Sequence, residues 1–159
     1  MGESTATAKA TYPLPVYNYR VTILDDGKSE TIGFSEVSGL TVAYDPVTYR
    51  DGFSFAMGHV VVPGLARPVS VTLKRGVTRS GNYLQGWLEA ASHGSIGAGV
   101  KRDVLIDLCD EEGKPVIRWT VSAAMPVKLE APSFNAASND VAIASLELVA
   151  PKVMVEFGL

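Results

Sequence analysis

The run Val69-Ser70-Val71-Thr72-Leu73-Lys74 alternates apolar and polar residues one by one and is closed by Arg75-Gly76. That period is the signature of a strand with one face buried and the other solvated. Residues 17–24 read the same way and end at Asp25-Asp26-Gly27; residues 101–109 end at Asp110-Glu111-Glu112-Gly113. Further strands are expected over residues 30–37, 40–49, 115–124, 126–130, 141–149 and 153–157. In Gly33-Phe34-Ser35-Glu36-Val37-Ser38-Gly39-Leu40 the apolar positions are spaced by Ser, Glu and Gly, as in a strand whose end bends sharply. Gly33 and Gly39 give the backbone access to positive φ at its entry and exit. So many short strands imply a mainly β, mainly antiparallel fold whose sheet edges have to be covered.

One flanking helix interrupts the strands. Leu84, Trp87, Leu88 and Ala91 fall at i, i+3, i+4 and i+7, with Ser80 or Asn82 as a cap and Gly94 at the end. Gly86 weakens this helix by about 1 kcal/mol relative to Ala, so it depends on packing Leu84, Trp87 and Leu88 against a sheet. Residues 94–99 form a glycine-rich linker, and residues 1–13, polar and without periodicity, a flexible arm ahead of a single domain over residues 14–159.

Between Tyr49 and Pro68 the alternation breaks. A connection of this length inside a small domain is uncommon unless it has a function. It reads either as a β-hairpin with a ragged tip or, preferably, as an extended loop ordered by a neighbouring subunit. Its contact residues are then Arg50, Asp51, Phe53, Phe55, Met57, His59, Leu65 and Arg67. Tyr44, Tyr49, Phe53 and Phe55 are expected to pack in the core rather than to line a binding site.

Composition narrows the function. With 159 residues the chain fits one domain, and 47% hydrophobic residues with a mean hydropathy of +0.16 point to apolar surface that a partner covers. A net charge of −3 argues against specific nucleic-acid recognition, and the basic groups Lys74-Arg75, Arg79 and Lys101-Arg102 read as solvated loop ends. No apolar run reaches the roughly 18 residues of a membrane span, and no signal-peptide core follows Lys9, so export by a signal peptide is not expected. Cys109 is expected to be an inert buried thiol, and His59 and His93 surface or capping residues, because neither lies at metal-ligand spacing. There is no Gly-x-Ser-x-Gly, and the glycines of residues 94–99 follow a helix rather than precede one, so neither a serine nucleophile nor a phosphate loop is present. No enzyme activity, cofactor or metal is expected.

In order along the chain stand residues 17–23, Gly33-Phe34-Ser35-Glu36-Val37-Ser38-Gly39-Leu40, Pro63-Gly64, Leu73-Lys74-Arg75-Gly76-Val77-Thr78, Trp87, Ile106-Asp107-Leu108, Gly113-Lys114-Pro115-Val116 with Trp119, and Val141-Ala142-Ile143-Ala144-Ser145-Leu146-Glu147-Leu148. This series resembles the inner tube proteins of contractile phage tails, tailocins and extracellular contractile injection systems. The resemblance implies an antiparallel β-barrel or sandwich with one flanking helix, in a structural protein assembled in the bacterial cytoplasm that forms hexameric rings by strand pairing between neighbours. The rings would stack into a hollow conduit for cargo or DNA. It also implies a surrounding contractile sheath, and baseplate, spike and terminator proteins at the ends, in a phage tail or a released extracellular particle. The loop of residues 50–67 would then make the ring-to-ring contacts. The competing reading is a monomeric β-barrel module that binds a small ligand or a carbohydrate.

Overall fold

A single strand of 16 residues, Pro115–Glu130, joins the two halves of the fold. In the computed structural model, which describes residues 10–81, 83–93 and 100–159, the elements are β1 (Tyr19–Asp25), β2 (Lys28–Ile32), β3 (Glu36–Ser38), β4 (Tyr44–Tyr49), α1 (Ser54–Met57), β5 (Val60–Ala66), β6 (Val69–Gly76), α2 (Tyr83–Ser92), β7 (Arg102–Cys109), β8 (Pro115–Glu130), β9 (Ile143–Ala150) and β10 (Lys152–Phe157). The first part of β8 lies between β7 and β10; beyond Ala124 it pairs with β9 instead. β9 and β10 run as one course along β8, with Val149 opposite Met125 and, past Pro151, Lys152 opposite Ser122. At the crossing Ala123 takes a left-handed φ of 53°, and its N–H donates to Asp103 Oδ1 at 2.8 Å.

This crossing makes an antiparallel sandwich from one continuous network. One sheet runs β2-β1-β7-β8-β10 and the other β8-β9-β6-β3. Their facing sides supply the core: Val21, Ile23, Val104, Ile106 and Val121 from the first, and Val69, Val71, Leu73, Leu146 and Leu148 from the second. These are the odd positions of β1, β6's alternating run and β8 and the even positions of β7 and β9, as the period-two reading requires. Register fixes three rows across the inner side of the first sheet. Ile23, Val104, Val121 and Val153 form a buried row, and Val21, Ile106, Trp119 and Val155 form one that opens towards β10. Tyr19, Leu108, Ile117 and Phe157 form a third row, half-buried over β1, β7 and β8 and exposed at Phe157.

Several boundaries differ from the sequence reading. Residues 30–37 split into the end of β2 and the short β3, and 115–124 and 126–130 are one strand. Pro126 is tolerated there because β8 has left β7, so one of its edges is unpaired. Gly39 has φ 88°, and a Cβ at this position would run into the Ser70 carbonyl. Gly33, by contrast, does not take a positive φ, so its expected role is not realised.

Residues 50–67 belong to the hairpin alternative rather than to an extended loop. β4 and β5 pair with each other, Tyr49 opposite Val60 and Val47 opposite Val62, around a tip that holds α1, a second and very short helix. The base is closed by the Arg67 N–H donating to the Ala43 carbonyl at 2.8 Å and by an Arg67–Asp45 ion pair. The sequence signal for β5 failed because that strand is apolar on both faces: Val60 and Val62 share one with Val47 and Tyr49, and Val61 and Pro63 the other with Pro46 and Thr48. With no polar face on β5 there is no alternation to detect. The expectation that Tyr44, Tyr49, Phe53 and Phe55 are core residues is also overturned, since all four are exposed.

Candidate functional site

The hairpin gathers the expected contact residues into one projecting surface. Arg50, Asp51, Phe53, Phe55, Met57 and His59 lie at its tip, Leu65 on β5 and Arg67 at the base, and all of them are exposed. The tip is ordered locally by the Phe53 N–H donating to Asp51 Oδ1 at 2.9 Å and the Met57 N–H to the Phe53 carbonyl at 3.1 Å. Phe53, Phe55 and Met57 are 71%, 90% and 86% exposed, so three bulky apolar side chains stand uncovered at the tip. Large exposed apolar patches are characteristic of interaction sites, whether for protein, membrane or ligand.

The helix is held as its apolar stripe requires. Leu84 and Trp87 are buried and Leu88 is half-buried, and α2 packs on β8. The Trp87 indole N–H donates to the Val100 carbonyl at 2.7 Å. At the far end His93 Nδ1 lies 2.6 Å from the Glu89 carbonyl, the capping position expected for it. The expected cap at Asn82 and the linker of residues 94–99 lie outside the described residues, as do residues 1–9 of the expected arm.

Two ion-pair clusters went unread in the sequence. Arg102, expected at a solvated loop end, is largely covered: its guanidinium lies 5.2 Å from the ring centres of both Tyr83 and Trp87, donates to the Tyr83 hydroxyl at 2.8 Å and pairs with Asp25 at 3.1 Å. It ties the β1–β2 turn to the helix. Burial raises the Tyr83 phenol above its ordinary value, while the Arg102 charge opposes that shift. On the outer side of the first sheet Asp107 is 2% exposed and accepts from Arg118 through both oxygens, at 2.6 and 2.9 Å, with Arg20 at 3.7 Å. Register continues this line to Glu156, giving Arg20, Asp107, Arg118 and Glu156 side by side on four strands. The bond to Asp107 raises the Arg118 pKa further. Strand register was the missing signal, since no two members of either cluster are neighbours in sequence.

The described residues contain no cluster of three or more His, Cys, Asp or Glu able to hold a metal, and none of their helices is long and apolar enough to cross a membrane. Cys109 is buried, with its thiol 3.8 Å from the Asp107 carbonyl. What the molecule presents is therefore a rigid sandwich with a projecting apolar ribbon and several open strand edges.

Comparison with known proteins gives this shape its context. The family model for the T4-like virus tail tube protein gp19 matches residues 15–153. The chain belongs to this tail tube family. Among solved structures, a chain of the PVC extracellular contractile injection system sheath–tube complex in the extended state is 34% identical, with 98% of this chain and 99% of that one covered and a TM-score of 0.82. A chain of the anti-feeding prophage tube-terminating cap is 33% identical over 93% of each chain, with a TM-score of 0.80. A chain of the PVC sheath/tube terminator is 35% identical over 91% of this chain and 97% of its own, with a TM-score of 0.78. An Hcp protein at 13% identity and a TM-score of 0.52 shares the fold alone. No curated protein sequence matches. The chain is a tail tube protein of the contractile injection type, and the ligand-binding module finds no support.

Proposed function

We propose that the chain is the repeating structural subunit of the inner tube of a contractile injection particle. Hexameric rings of it stack into a hollow conduit inside a sheath, with baseplate, spike and terminator proteins at the ends. The observation that carries this reading is the projecting hairpin, whose apolar tip residues Phe53, Phe55 and Met57 have no cover in the single chain, on a fold shared over nearly its full length with a chain of a sheath–tube complex. The hairpin makes the ring-to-ring contacts through Arg50, Asp51, Phe53, Phe55, Met57, His59, Leu65 and Arg67. Within a ring, the open outer edges of β2 and β10 offer unpaired backbone groups to neighbouring copies. The subunit does no bond-making chemistry: transport follows from geometry and wall charge. It assembles in the cytoplasm and leaves as part of the particle.

Deleting residues 53–60 and examining the purified protein by negative-stain microscopy tests this reading. Single rings should persist and stacked tubes should disappear. Tubes of normal length from the deleted chain would remove the hairpin from the stacking contact, and a parent chain that stays monomeric at high concentration would sink the tube reading itself.

A further inference from the structure

The two sheets of the sandwich do not cover each other completely. The third inner row, from Tyr19 through Leu108, extends past the edge of the second sheet, and a groove of about 390 Å³ lies over it. Val37 and Leu40 form the opposite wall, Trp119 contributes to the apolar lining and Glu36 stands among the lining residues. This is the core's own apolar surface left without a roof. We propose that the groove receives the aromatic hairpin tip of a second copy, an inference that rests on the tube reading above.

The chain cannot fill this groove with its own tip. The hairpin leaves the body at Tyr44, only a few residues after the groove wall at Leu40, and six residues of β4 at about 3.3 Å each carry the tip roughly 20 Å away from that base. Phe53 and Phe55 accordingly stay exposed in the single chain. Size and chemistry match the pairing. The groove falls in the range of about 300–1,000 Å³ typical of sites lined by apolar and aromatic side chains, and two phenyl rings are the bulkiest apolar groups on the tip. Aromatic side chains bury on the order of 150–250 Å² each, so Tyr49, Phe53 and Phe55 together supply more than half of the roughly 800 Å² per partner of a standard interface. Arg50 flanks the tip, and Glu36, beside the groove, is already paired with Lys74 at 3.1 Å, so apolar contact rather than charge carries the match.

The test places the photo-crosslinking residue p-benzoylphenylalanine at position 55 of the full chain, irradiates assembled tubes and maps the crosslinked peptides by mass spectrometry. Crosslinks to residues 37–40 or 117–119 of another copy are expected. In parallel, Leu40→Glu, checked for a folded core by circular dichroism, should give rings but at least tenfold fewer stacked tubes. Tubes whose crosslinks fall only outside the groove, or Leu40→Glu chains that stack as well as the parent, overturn the groove assignment and leave the tube reading standing. A parent chain that forms neither rings nor tubes overturns both.

Discussion

Replacing Trp87 with Ala asks the most of the packing described here. The indole is 1% exposed within the core, donates to the Val100 carbonyl at 2.7 Å and carries the Arg102 guanidinium 5.2 Å from its ring. Truncating a buried Trp costs about 3–5 kcal/mol in lost burial and residual cavity. Loss of the cation–π contact adds about 0.5–1 kcal/mol. A total of about 3.5–6 kcal/mol is a large part of the roughly 5–15 kcal/mol that holds a domain together. At about 2–4 °C per kcal/mol for a domain of this size, the midpoint should fall by roughly 7–24 °C. Trp87→Phe keeps most of the apolar volume and removes the N–H, so it should cost only about 1–2 kcal/mol. Melts followed by circular dichroism on dilute, unassembled protein separate these terms, because assembly would otherwise raise the apparent midpoint. A Trp87→Ala midpoint within 2 °C of the parent would refute the helix anchor, and equal losses for Ala and Phe would show that the hydrogen bond rather than burial carries it.

Three further outcomes follow from other parts of the fold. Arg118→Ala strips Asp107 of its bidentate partner and should cost about 2–4 kcal/mol in a urea melt, less than a fully buried pair because the Arg118 side chain is 30% exposed; the double change Asp107→Leu with Arg118→Met should recover part of the loss, and a double variant worse than the single would count against this. Burial, then the nearby Glu36 charge, raises the Tyr19 phenol pKa, and its hydroxyl donates to the Phe34 carbonyl at 2.7 Å. Its folded pKa exceeds its unfolded value, so its contribution is complete below about pH 10 and is lost as pH rises through the folded pKa; thermal midpoints should decline less steeply above pH 10 in Tyr19→Phe than in the parent, and parallel declines would refute the assignment. Gly39→Ala forces a left-handed φ of 88° on a residue with a Cβ aimed at the Ser70 carbonyl, and should lower stability by more than the roughly 1–2 kcal/mol of the conformational term alone, read by the same melt.

The legible parts of the fold were those whose two sides differ. β6, β7 and β9 each turn one face to the core and the other outward, so their alternation places them nearly to the residue, and α2 shows its Leu84–Trp87 stripe for the same reason. Elements without that asymmetry were misread. β4 falls within the strand expected over residues 40–49, but β5 carries apolar residues on both faces, so residues 50–67 registered as a loop and the hairpin aromatics as core. β8 hid its continuity because it changes partners at Ala123, where inside and outside are exchanged for part of the strand. The sequence reading gave Phe53 and Phe55 two incompatible places, in the core and among the loop's contact residues, and the structure leaves both exposed. The roles of Arg102 and Asp107 were not legible, because their partners come from other elements, helix α2 and the end of β1 for Arg102 and strands β1 and β8 for Asp107.

The asymmetry between the two ends of the sandwich also bears on assembly. Burial along the inner side of the first sheet is complete in the Ile23 row, partial in the Val21 row and least in the Tyr19 row, which ends at Phe157 with 75% of its surface exposed. An isolated two-stranded hairpin such as β4–β5 is at best marginally stable in water. The single chain therefore closes one end of its core by itself and leaves the other end, and the hairpin, uncovered; in the proposed tube, other copies would complete both. Anything that binds the folded chain but not the unfolded one stabilises it by mass action. Subunits within a tube should accordingly melt well above the dilute chain, and the difference should shrink in variants such as Leu40→Glu that leave the open end of the core uncovered.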